Sequence, residues 1–274
     1  MFRTVEGEMA KMYLSQLPTN SLWFERFALG CLRRMGQDVR LDWAITLQAM
    51  HGLIDNLEEE WSIVKGWEQR RNVAVAGAFA LLAFGGSFRG NKVFLTDLYG
   101  LRKYLVELHD KDLVIVSLLG KYKGEIHHRY HLTPMAGTTN SGLQIRLWLE
   151  RLVSVQQEKG LTRGAAFSDV NGHILSPRFV KGLIAERLQQ VKETTGLIPV
   201  DVDCFENFGI SRSFRRGATS TARARGVNGQ LIDLINRWRK FEEAKGRRPR
   251  LAMQDHYSDI EILIPELIKF SQAL

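Results

Sequence analysis

The 274-residue chain is 45% apolar, an ordinary globular composition that can fill one large core or two small ones. Its two cysteines, Cys31 and Cys204, are too widely separated to read as a disulfide framework or a Cys-x-x-Cys metal clip, so a reducing compartment is the simpler inference. The net charge of +8 is concentrated: residues 207–250 hold twelve Lys and Arg against Asp233, Glu242 and Glu243, leaving the remainder near −1. A localised basic surface is the footprint of a polyanion partner, with nucleic acid ahead of membrane because no amphipathic lipid-binding face accompanies it.

In chain order, the first 70 residues read as helices, broken around "LPTNS" (17–21) and "RMGQDVRLD" (34–43). The stretch "RRNVAVAGAFALLAFGG" (70–86) pairs two basic residues with a small-residue apolar run. Its position is wrong for a signal peptide, and spanning a bilayer takes roughly 20 apolar residues, so 74–86 reads as a buried helix. Residues 111–135 hold two β-rich runs around a Gly/Lys turn and predict a hairpin or small antiparallel sheet. "NSGLQIRLWLERLVSVQQEKG" predicts a helix opened by a capping Asn or Ser and closed by Gly160, and "SPRFVKGLIAERLQQVKETTG" one running from Ser-Pro to Gly196.

Two amphipathic helices follow, one over about 211–225 stopped by Gly226 and one stopped by Gly246. At 100° per residue, Phe214, Ala218 and Ala222 form the inward stripe of the first, with Arg212, Arg216, Thr219 and Arg223 opposite and Arg215 at the boundary between the faces. Arg225 lies nearer the apolar side at the helix end. In the second helix Leu231, Ile235, Trp238 and Phe241 share the inward spacing. After Tyr257, Ile260, Leu263, Ile264, Leu267, Ile268 and Leu274 recur at helical spacing, with Pro265 tolerable only near a start or a kink. The fold class expected is α+β, mainly α: a helical domain with a small antiparallel sheet.

"SFRRGATSTARARGV" resembles the second-arginine motif of the tyrosine recombinase (phage integrase) family, usually His-x-x-Arg before a small-residue helix and Gly-Val. The family's other elements have candidates in the family's order. "LLAFGGSFRGNKVFLTDL" supplies Arg89 after the apolar helix, and "LLGKYKGE" supplies Lys123 in the hairpin, with Lys121 as the less favoured choice. "INRWRKFE" supplies Trp238 and "MQDHYSDI" supplies Tyr257. An ordered set of five is more specific than any one element. The resemblance covers about residues 75–274 and is similar in flavour to recombinases of eukaryotic mobile elements.

The resemblance implies a fold of the DNA breaking-rejoining type and DNA cleavage and rejoining, hence site-specific recombination or DNA integration, without ATP or metal. Tyr257 would attack a phosphodiester to give a 3′-phosphotyrosyl bond, which conserves the bond energy, and free a 5′-hydroxyl. Arg89 and Arg215 would grip the non-bridging oxygens, Lys123 would protonate the leaving oxygen, and Trp238 would pack or hydrogen-bond at the scissile phosphate. Arg212, Arg216, Arg223, Arg237, Arg239, Lys240, Arg247 and Arg248 are the expected DNA contacts. No cofactor and no metal are expected: His127 and His131 of "HHRYH" would sit about 13 Å apart along a strand, too far to share an ion.

Two positions depart from the family pattern. Arg212 stands where the histidine is expected, and Lys92 where an acid usually follows the first arginine by three residues. An arginine carries no proton near neutral pH, so position 212 retains only phosphate binding. The alternatives are therefore a catalytically impaired DNA-binding protein on the same fold, or a type IB topoisomerase-like activity. The expected domains are 1–70, a short or truncated helical clamp or linker, and 71–274, the catalytic domain. The expected setting is intracellular and DNA-associated, nuclear in a eukaryote, with duplex DNA as partner, homo-oligomers on DNA and no membrane. "KGRRPR" (245–250) would suit nuclear import or a phosphate-contacting loop.

Overall fold

The computed structural model describes residues 42–119, 131–210, 212–236 and 260–274. Among these are ten helices and one two-stranded antiparallel sheet, so the domain is mainly α with a small β element. The helices are α1 (Leu47–Ile63), α2 (Trp67–Gly85), α3 (Gly90–Val93), α4 (Leu98–Glu107), α5 (Ile145–Gln157), α6 (Pro177–Thr195), α7 (Cys204–Asn207), α8 (Ser213–Ala224), α9 (Gly229–Asn236) and α10 (Ile260–Gln272). The strands are β1 (Leu113–Leu118) and β2 (His131–Ala136).

The apolar run at 70–86 is the central post of the core. Every residue of α2 from Val73 to Gly85 is buried, because α1, α5, α6 and α8 all pack against it. A helix covered on all sides needs no polar face, which is why the run shows so little amphipathicity. Its small residues set the packing distance. A Cβ on Gly77 would come within 2.1 Å of the Trp148 ring on α5, so only glycine lets the two helices meet there. Phe79 on α2 contacts Phe94, Phe167 and Phe214 with ring centroids 5.1, 5.7 and 6.5 Å away, tying three later segments to the post.

Charge fastens α1 to the outside of this core. Glu58 makes a two-pronged pair with Arg151 of α5 at 2.7 and 2.8 Å, and Glu60 a similar pair with Arg187 of α6 at 2.7 and 2.9 Å. Arg151 also lies over the Trp61 and Trp148 rings, so its guanidinium is held by both stacking and hydrogen bonds. Cys204, at the first position of α7, is fully buried; burial pushes its thiol up, which keeps it protonated and inert.

The expected hairpin is present as a β1–β2 ladder with Leu113 opposite Ala136 and Leu118 opposite His131. The segment before α4 joins it, with the Asp97 N–H donating to Ser117 O and the Leu119 N–H to Leu95 O. The α6 boundaries match the sequence signals. Ser176 accepts from the Phe179 N–H, Pro177 takes the first helical position, and Gly196 ends the helix at φ 67°.

The start of α5 differs from expectation. Neither Asn140 nor Ser141 caps it; Gln144 occupies the cap position without a side-chain bond. The cause is a tight turn through Gly142, in which Thr139 Oγ1 accepts from the Leu143 N–H and contacts the Ser141 hydroxyl. The Thr139 and Ser141 hydroxyls are engaged within that turn before the helix begins.

Candidate active site

The two arginines expected to grip phosphate, Arg89 and Arg215, lie on segments that meet. Arg89 is the exposed residue between α2 and α3, and it occupies the N-cap position of α3. In the turn leading to it, Phe88 points into the core and Arg89 out of it. Directly after it the backbone lies against the approach to α8: a Cβ on Gly90 would fall 2.4 Å from the Ile210 carbonyl oxygen. The absence of a side chain at position 90 is what permits this contact.

Helix α8 presents its faces much as the periodicity predicts. Phe214, Ala218 and Ala222 are buried, whereas Arg212, Arg216 and Arg223 are exposed and Arg215 is half-buried. Its first half is seated on the 42–46 segment, where the Ile45 N–H donates to Ser213 O and Arg216 donates to Asp42 O. The helix closes at Gly226, which takes φ 77°.

Thr219 corrects the expected pattern. Helical spacing puts it on the outward face with Arg216 and Arg223, but it is only 6% exposed. On the helix circumference Thr219 lies within about 40° of Arg215, and that side is covered by α9 rather than by solvent. The inward stripe of α9 is also offset by one position. Leu231 and Ile235 are half-buried, while Ile232 and Asn236 are buried.

This offset places Asn236 at the centre of a polar network that sequence reading missed. Ser87 Oγ donates to Asn236 Oδ1 at 2.9 Å. Asn236 Nδ2 donates to Thr219 Oγ1 at 3.2 Å and to Ile232 O at 2.9 Å. The Arg215 guanidinium donates to the Asn236 carbonyl oxygen. Ser87, Thr219 and Asn236 are each at most 6% exposed, so these are interior bonds without competing solvent. A signal for Asn236 existed in the sequence, since an asparagine four residues after Ile232 puts a polar group on an otherwise apolar stripe.

Arg225 also has a definite partner. Although exposed, its guanidinium donates to the carbonyl oxygens of Ala273 and Leu274 at 2.9 and 2.8 Å, so it holds the end of α10. Helix α10 itself packs on β2 and α9 of its own chain. Lys123, Lys121, Trp238, Tyr257, Arg237, Arg239, Lys240, Arg247 and Arg248 lie outside the described residues, as does His127.

Chemically, the described part of the site offers arginines carried on segments that pack together. Arg89, Arg212, Arg216 and Arg223 are exposed, and Arg215 stands at the edge of the interior where packing and a backbone acceptor restrict it. Arginine forks fixed in this way suit phosphate oxygens better than mobile lysines do.

No family model matches the chain, and no curated protein matches it. Among solved structures it is similar to the XerH site-specific recombinase bound to difH substrate in a pre-cleavage complex, at 14% identity, 87% coverage of this chain, 68% of that chain and a TM-score of 0.46.

Proposed function

We propose that this protein binds duplex DNA and cleaves and rejoins a strand through Tyr257. The observation that carries this reading is the meeting of the Arg89 turn with the Arg215 helix, because two arginines distant in sequence must converge if both are to grip one phosphate. The ordered set of Arg89, Lys123, Arg215, Trp238 and Tyr257 supports it independently.

In this reading Arg89 and Arg215 neutralise the charge that builds on the non-bridging oxygens as the phosphorus becomes pentacoordinate. The Tyr257 hydroxyl gives its proton to water as its oxygen bonds to phosphorus, the 5′-oxygen leaves, and Lys123 gives that oxygen its proton. Trp238 packs beside the phosphate. Arg212, Arg216, Arg223 and the basic residues 237–250 hold the flanking backbone, so affinity falls as salt rises. Residues 71–274 form the catalytic domain and residues 1–70 a clamp or linker segment. Homo-oligomers assemble on intracellular DNA, in the nucleus if the source is a eukaryote. An origin as a mobile-element integrase fits the same set of motifs.

A nicked suicide duplex tests the chemistry, because the loss of a short 5′ fragment traps the covalent state. The expected result is an SDS-resistant protein–DNA adduct that disappears in Tyr257→Phe and drops at least about a hundredfold in Arg215→Ala. An adduct that persists in Tyr257→Phe removes the assignment. The exposed Arg212 at the place of a proton-carrying histidine favours a second reading, a DNA-binding protein with impaired cleavage. Tight binding by the wild type without any adduct would select it. Relaxation of supercoils without exchange between sites would instead select a type IB topoisomerase-like activity.

A further inference from the structure

We infer that Ser87 and Asn236 are positioning residues that set the Arg89 turn against Arg215, a role that rests on the phosphate-binding reading of those two arginines. The first observation is a strained backbone. Ser87 has φ 49°, and among the described residues it is the one non-glycine with positive φ. A residue with a Cβ is disfavoured in this left-handed region and persists there when its surroundings hold it. Ser87 lies two residues before Arg89, in a turn where glycine would adopt the same conformation freely. The serine contributes what glycine lacks, a hydroxyl that reaches across to α9.

The second observation is what that hydroxyl meets. Asn236 Oδ1 accepts from Ser87 while both hydrogens of its amide are taken by Thr219 and Ile232. The side chain is therefore fixed at three points, and so is the residue that carries it. Its carbonyl oxygen is the acceptor for Arg215. One buried asparagine thus connects the turn before Arg89, the face of α8 and the guanidinium of Arg215. Arg89 and Arg215 reach the same phosphate in fixed register only while this connection holds.

The strain permits a test that separates positioning from folding. Ser87→Gly removes the hydroxyl and at the same time relieves the backbone, so its Tm should stay within about 3 °C of wild type. Amide exchange should nevertheless rise in residues 84–93 and 212–224, and affinity for duplex DNA, read by fluorescence anisotropy, should fall about tenfold. The double variant Ser87→Gly/Asn236→Ala should lose no more affinity than Asn236→Ala alone, because both changes break one connection. Unchanged exchange in Ser87→Gly would overturn the inference, and so would faster exchange with no loss of affinity in a protein that binds DNA. If the wild type binds no duplex while exchange rises as expected, the connection stands and the DNA reading fails.

Discussion

Individual side chains in this protein are decided by what covers them. Gly77 and Trp148 show this in the core, where the ring occupies the volume a methyl group would need. Gly77→Ala should destabilise the fold by about 1–3 kcal/mol, seen as a lower urea midpoint, because neither helix can retreat from a core packed on all sides. An unchanged midpoint would mean that α2 and α5 are not held at this distance. Thr219 teaches the complementary lesson at the site. Helical spacing puts it across from Phe214, which predicts solvent, yet α9 occupies that side and supplies Asn236 as a partner. No property of α8 by itself distinguishes those outcomes.

At the scale of the element, α10 is the informative case. Its apolar spacing is evident in the sequence, and it suits equally a helix docked on its own domain and one exchanged with another protomer. In the structure it docks in cis, with Phe270 and Leu274 fully buried. Polar bonds fix its register: the Ala136 N–H donates to Ser271 Oγ at 2.8 Å, the Asn140 N–H donates to Gln272 O, and Arg225 holds the last two carbonyls. Pro265 sits inside the helix, past its first turn, and its exposed position keeps the missing N–H bond out of the core. Phe270→Ala should therefore cost about 3–5 kcal/mol in equilibrium unfolding of the isolated chain. A negligible cost would show that this docking contributes little to the fold.

Across the whole molecule, the charge asymmetry and the helical frame belong to one argument about DNA. The excess positive charge falls in residues 207–250, and the described part of that segment is exposed at Arg212, Arg216 and Arg223. If these residues meet phosphates, Arg223→Ala should weaken binding alike for all duplex sequences and reduce the slope of log K against log salt by about one. An unchanged slope would remove Arg223 from the interface. No helix among the described residues is long and apolar enough to cross a membrane, in keeping with α2 as an interior post.

The sequence by itself determined the elements: the buried run of α2, the β1–β2 pairing, the Ser-Pro start and Gly196 stop of α6, and the two faces of α8. These follow from periodicity and capping, which act over a few neighbouring residues. Only the tertiary structure decided which elements far apart in the chain touch. It decided that Thr219 is covered, that α9 buries Asn236 more deeply than Leu231 and Ile235, that α10 lies on its own chain, and that Ser87 reaches across to α9. The reason is physical: a hydrogen bond between positions 87 and 236 leaves no local trace in the order of residues, and it comes into being only when packing closes the intervening 148 residues between them.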